Sequence, residues 1–98
     1  MSVHSNLGSL DFSQPAIIEV DTSENQIKGI IIQYLNEVEV IIGNCCRSFS
    51  QTERDLSAFE REAVAISWVI EQFRDYIGQV PISIQCDFVA LCTYINTH

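Results

Sequence analysis

Apolar positions along this chain change their period partway. Before Cys46 they come in short bursts rich in β-branched residues. After Ser50 they recur three and four apart. Ala16 to Val20 reads as a buried strand, and "DTSENQ" as a turn whose short polar side chains bond their own backbone. "IKGIIIQYL", Ile27 to Leu35, reads as a second strand, Asn36-Glu37 as a hairpin turn, and Val38 to Cys46 as a third strand. "SQTE", Ser50 to Glu53, has the spacing of a capping box, so a helix is expected to start there. Leu56, Phe59, Ala63, Ile66, Ile70, Phe73 and Ile77 would form one stripe on that helix, with Gly78 as its stop. Pro81 opens "PISIQCD", a short fourth strand ending on Asp87. "FVALCTYINTH" then resumes helical spacing, with Val89 and Cys92 inward.

The order strand, strand, strand, long helix, strand, helix predicts an α/β (α+β) fold. The first three strands make an antiparallel meander. The long helix is a crossover that brings the fourth strand parallel to the first, right-handed by the usual rule. Residues 1–13 are polar and read as a flexible arm, and residues 14–98 as one domain.

Composition narrows the functional classes. With 98 residues, 47% of them hydrophobic, the chain can fill one core and is no disordered tail. The formal charge is −8, with only Lys28, Arg47, Arg54, Arg61 and Arg74 basic. Nucleic-acid affinity comes largely from neutralising phosphates. So acidic a chain would need metal ions or neighbouring domains to bind nucleic acid. The cysteines Cys45, Cys46, Cys86 and Cys92 form no C-x-x-C pair, and neither His4 nor His98 stands at ligand spacing from them. Small reduced apolar residues are the expectation, rather than a zinc site. No apolar run approaches the roughly 20 residues of a membrane span. "MSVHSNLGSLDF" has neither a basic start nor an apolar segment, so cytosol or nucleus is expected.

Three acids stand out. Asp21 and Asp87 each close a short apolar strand. If those strands are parallel neighbours, both carboxylates reach the sheet's carboxyl edge, where open α/β sheets bind ligands. Glu62 borders the apolar stripe of the long helix and could be aimed toward the strand ends. Asp-Glu-Asp around one point is a hard oxygen cage suited to Mg²⁺ or Mn²⁺, and paired ions of this kind cleave phosphodiesters. Plainer roles exist for each: Asp21 in a side-chain-bonded turn, Asp87 as a helix cap, Glu62 as a solvated helix residue.

The stretches "DFSQPAIIEVDTS", "CCRSFSQTERDLSAFEREAVAISWVIEQFRDYIG" and "ISIQCDFVAL" together cover most of the chain. They resemble the ribonuclease H domain that follows the polymerase in reverse transcriptases of gypsy-type LTR retrotransposons. The most specific piece is "RSFSQTERDLSAFEREAVAISWVIEQFRDY", with its helix cap, acids, Trp68, Phe73, Arg74 and Tyr76. The resemblance implies a ribonuclease H-like fold and a two-metal site cutting the RNA strand of RNA–DNA hybrids. By motif position, Asp21, Glu62 and Asp87 match three of the family's metal-binding carboxylates.

Departures from the family all point one way. Gln26 and Lys28 stand where it usually has glycines, and Lys28 brings an ammonium toward the acids. Phe88 and Val89 replace His and Lys, while Ser48, Val80 and Gln85 occupy positions that tend to be basic. The family's fourth aspartate lies past a fifth strand, and the sequence ends at His98 before reaching it. The packing positions look intact. One expectation is therefore a weakened or inactive domain used as a protein-interaction or assembly module, through a homodimer or another protein at an exposed sheet edge. The other is an active Mg²⁺-dependent ribonuclease H within a longer polyprotein.

Overall fold

The computed structural model describes the backbone of residues 3–6 and all of residues 9–86. Strands β2 (Ala16–Thr22), β3 (Gln26–Leu35) and β4 (Val38–Ser48) form the expected antiparallel meander. Helices α1 (Gln51–Arg54) and α2 (Ala58–Gln72) follow, and β5 (Ile82–Gln85) then pairs parallel to β2. One strand was not foreseen. Within the segment read as a flexible arm, Val3–Asn6 forms β1, antiparallel to Gly43–Cys46 of β4. The sheet order is therefore β1-β4-β3-β2-β5. A polar edge strand has no apolar alternation to announce it; backbone bonding to β4 makes it. Asp87 and the helix expected over residues 88–98 lie outside the described residues.

Alternation decides which side of each strand is covered. Ala16, Ile18 and Val20 of β2, with Ile27 and Ile31 of β3, are buried together with Ala65, Ile66 and Val69 of α2. The turn between β3 and β4 places Asn36 and Glu37 at φ 54° and 67°. This left-handed pair matches the twist of the flanking strands. A register shift between Ile31 and Ile32 sets Ile31 opposite Gly43 and Ile32 opposite Ile41. Ile42 is the extra residue there, and it too is fully buried.

The helical region departs from expectation in three ways. One continuous helix was expected; two form, because a second capping box follows the first. Ser57 is extended (ψ 163°) and caps Glu60, as Ser50 caps Glu53. The Arg61 guanidinium closes the break by donating to the carbonyls of Leu56 (2.6 Å) and Arg54 (3.3 Å). Second, α2 ends at Gln72, and turns carry the chain to Gly78 at φ +94°. Third, the buried face is Glu62, Ala65, Ile66, Val69 and then Phe73, whereas Phe59 is exposed. The true stripe is rotated from the expected one because Ala65 and Val69 are apolar too, and the charge on Glu62 disguised its face.

Gly29 fixes how closely α2 approaches the sheet. A β-carbon there would lie 2.5 Å and 2.7 Å from the two γ-carbons of Val69. At the carboxyl end of β4, Arg47 forks onto Glu53 at 2.7 Å and 2.9 Å while lying 5.3 Å from the Trp68 ring centre. This contact ties the sheet to α1 and α2. Trp68 is partly buried and packs against the core.

The Arg47 bond, with the Ser50 amide, holds the Glu53 carboxyl at about 2, against an ordinary 4.5. The unfolded chain therefore takes up a proton at Glu53 between about pH 4.5 and 2 that the folded chain refuses. The stabilisation is complete above that window and lost on acidification through it. We expect Glu53→Gln to remove about 1 kcal/mol at neutral pH, a modest value because the pair is partly solvated. The difference from the parent should vanish near pH 2 in urea titrations run across the window. A constant difference at every pH would contradict this.

Candidate active site

The site expected from sequence would sit at the carboxyl end of β2. Consecutive residues there point to opposite sides of the sheet. Val20 is buried on the side covered by α2, and Asp21 is exposed. Thr22 turns back toward α2, where its hydroxyl donates to Oε2 of Glu62 at 2.8 Å. Glu62 is 1% exposed and sits among the buried residues of α2. It lies inside the helix–sheet interface rather than at its border.

Asp21 occupies the other face. Its cross-strand partner is Lys28, and Glu19 pairs with Ile30 one step along. Directly opposed residues have β-carbons about 5 Å apart. Glu19, Asp21, Lys28, Gly29 and Ile30 line a shallow open recess. Lys28 thus stands opposite Asp21 in the register of β2 and β3. Asp87, the third acid, lies outside the described residues.

These positions decide whether a divalent ion has a ready seat. Mg²⁺ demands near-octahedral oxygen ligation from groups that can face one point. Of the two described acids, one is engaged in the α2–β2 interface and the other is exposed, opposite Lys28 in the strand register. Among the described residues, no three of His, Cys, Asp and Glu group so as to hold a metal. Glu62 gives one oxygen to Thr22 and its other oxygen is buried, while Asp87, the third acid expected to share the ion, lies outside the described residues. Thr22 was missed in sequence. Its signal was a β-branched hydroxyl at strand parity with Val20, legible only once the helix face was known.

The cysteine expectation holds in part. Cys45 and Cys46 are free thiols, and burial pushes Cys45 up to about 11. Cys86, by contrast, is disulfide-bonded. No helix among the described residues is long and apolar enough to cross a membrane.

Residues 11–98 match the family described as RNase H-like domain found in reverse transcriptase. The chain belongs to that family. Two solved structures share the fold of this RNase H-like domain. One is the foamy viral protease-reverse transcriptase in complex with dsDNA, with TM-score 0.71 and 19% identity over 96% of this chain. The other is the dRH form of the same viral protein, also with dsDNA, at the same TM-score, identity and coverage. The chain spans 19% and 16% of those two proteins. No curated protein matches it.

Proposed function

We propose that this RNase H-like domain is a folded module of a gypsy-type reverse-transcriptase polypeptide, working inside the cell. It is weak or silent as a nuclease and is used to contact protein. The observation that carries this reading is the division of Asp21 and Glu62 between the two sides of β2, with Lys28 paired to Asp21. Lys28 opposite Asp21 in the register and the Thr22 bond on Glu62 both weigh against metal capture.

The contact surface would be the tip and outer edge of the β3–β4 hairpin. Tyr34, Val38 and Ile41 are exposed there at 52%, 61% and 37%, and the described residues of β1 cover β4 over Gly43–Cys46. Such an edge accepts an added strand from a second copy or another protein.

A labelled RNA–DNA hybrid incubated with Mg²⁺ or Mn²⁺ tests the nuclease half. The parent should cleave no faster than Asp21→Asn. Cleavage by the parent alone would establish the second reading, an active metal-dependent ribonuclease H whose Asp21, Glu62 and Asp87 come together on substrate. Both solved neighbours are complexes with dsDNA, which favours a nucleic-acid role. Sedimentation tests the contact half: a strict monomer at high concentration would remove the homodimer.

A further inference from the structure

We infer that the recess between the β2–β3 turn and the α1–α2 break seats one phosphate of a nucleic-acid strand, gripped by Arg54 and Arg61. The inference goes beyond the reading above and holds whether or not the domain cleaves. The chain carries 13 acids and 5 lysines and arginines. Arg47 pairs with Glu53 and Arg74 with Glu71, while Lys28 stands opposite Asp21 in the strand register. Arg54 and Arg61 form no ion pair among the described residues. Both instead line one recess of about 240 Å³, with Glu24 and Asn25. Two guanidiniums at one recess repel each other, and an anion between them removes that cost.

The donors suit phosphate. A guanidinium offers a planar fork that matches phosphate oxygens. The Arg61 fork is held in place, because Nη1 donates to the carbonyls of Leu56 and Arg54. Asn25 is fixed through its backbone: its amide donates to Ser23 Oγ at 3.3 Å, and its carbonyl accepts from the Phe49 amide at 2.8 Å. The side-chain amide of Asn25 adds a further donor to the recess. The volume falls below the roughly 300–1,000 Å³ of a site that encloses a whole small molecule, so it suits one charged group of a longer ligand. Position selects the strand. Asn25 follows Thr22 by one short turn, and Arg61 immediately precedes Glu62, so the recess adjoins the end of β2 that carries the candidate acids. Glu24 opposes any anion seated here and holds its affinity down.

The test is binding of the full chain to a fluorescein-labelled RNA–DNA hybrid, read by anisotropy across a salt series. Excess chelator keeps cleavage out of the measurement. Arg54 is exposed, so Arg54→Gln should keep the fold while weakening binding roughly threefold to fivefold, the upper range for an exposed ion pair. The slope of log affinity against log salt should become shallower by about one unit. Glu24→Gln should tighten binding by a similar factor. Arg74→Gln removes the same charge beyond the far end of α2 and should change neither quantity. Equal losses in Arg54→Gln and Arg74→Gln overturn the seat, because net charge alone then accounts for binding. So does an affinity that Arg54→Gln leaves untouched, or a parent that fails to bind hybrid at about 50 mM salt. Inorganic phosphate, the second probe, should displace the hybrid only above about 1 mM. Displacement below that makes free phosphate the ligand and overturns the strand. None of these outcomes bears on cleavage, which the Asp21→Asn comparison reads separately.

Discussion

Gly29→Ala is expected to destabilise the domain by about 1–3 kcal/mol, the range for overpacking a well-filled core. The added carbon would meet both Val69 γ-carbons at 2.7 Å or less and the Cys45 sulfur at 3.2 Å. Val69 is fully buried, as is Ile66 beside it to within 2%, so neither can swing into solvent. Relief requires α2 to lift from β3, which would strain the Thr22–Glu62 bond at its other end. The clash predicts its own remedy: Val69→Ala in the Gly29→Ala background should recover part of the loss, although Val69→Ala alone opens a cavity. Urea midpoints for the four chains check this. Strictly additive losses would show that the two positions do not collide.

Gln33→Leu is expected to remove about 2–3 kcal/mol, through lost bonds rather than lost volume. Gln33 is fully buried, yet its amide does the work of a short strand. Oε1 accepts from the Asp11 amide at 2.9 Å, while Nε2 donates to the carbonyls of Asp11 and Gln14 at 2.8 Å and 3.0 Å. The Asp11 carboxylate in turn accepts from the Ser13 amide and hydroxyl. The turn before β2 is thereby locked, with Phe12 exposed at 68% on its outside. Leucine preserves the shape but removes all three bonds, leaving the Asp11 carbonyl only its bond from the Gln14 amide at 3.2 Å. Hydrogen exchange at the Asp11 amide should accelerate along with the fall in stability. A leucine variant with full stability and a still-protected Asp11 amide would disprove the lock.

Much of the fold was legible because strand signals are local. β-Branched runs, the Asn36-Glu37 turn and the order of elements specify a meander and a parallel return without reference to neighbours. The family match over residues 11–98 and the shared fold of the foamy viral protein agree with the topology read from those runs. The helix boundaries were less legible. "SAFE" repeats the capping pattern of "SQTE" only seven residues later, and either box can start a helix. The actual break is bridged by Arg61, which reaches back to the carbonyls of Arg54 at the end of α1 and Leu56 beyond it.

The candidate acids divide in the same way. Asp21 was recognisable as the end of a strand, and its pairing with Lys28 follows from hairpin register alone. The fate of Glu62 was not recognisable. A charged residue beside an apolar stripe reads as a border, and only packing reveals that the stripe runs through it.

By itself, the sequence determined the three-stranded meander, the parallel return of the following strand, the family and the chemical identity of the acids, since each depends on residue type and short-range spacing. Tertiary structure alone decided the rotation of α2, the burial of Glu62 against Thr22 and the recruitment of Val3–Asn6 as an edge strand. Those three depend on contacts between segments remote in the chain. Their free energy comes from the close fit at Gly29, a hydroxyl 40 residues away from its acceptor, and backbone groups on β4 that no side-chain pattern records.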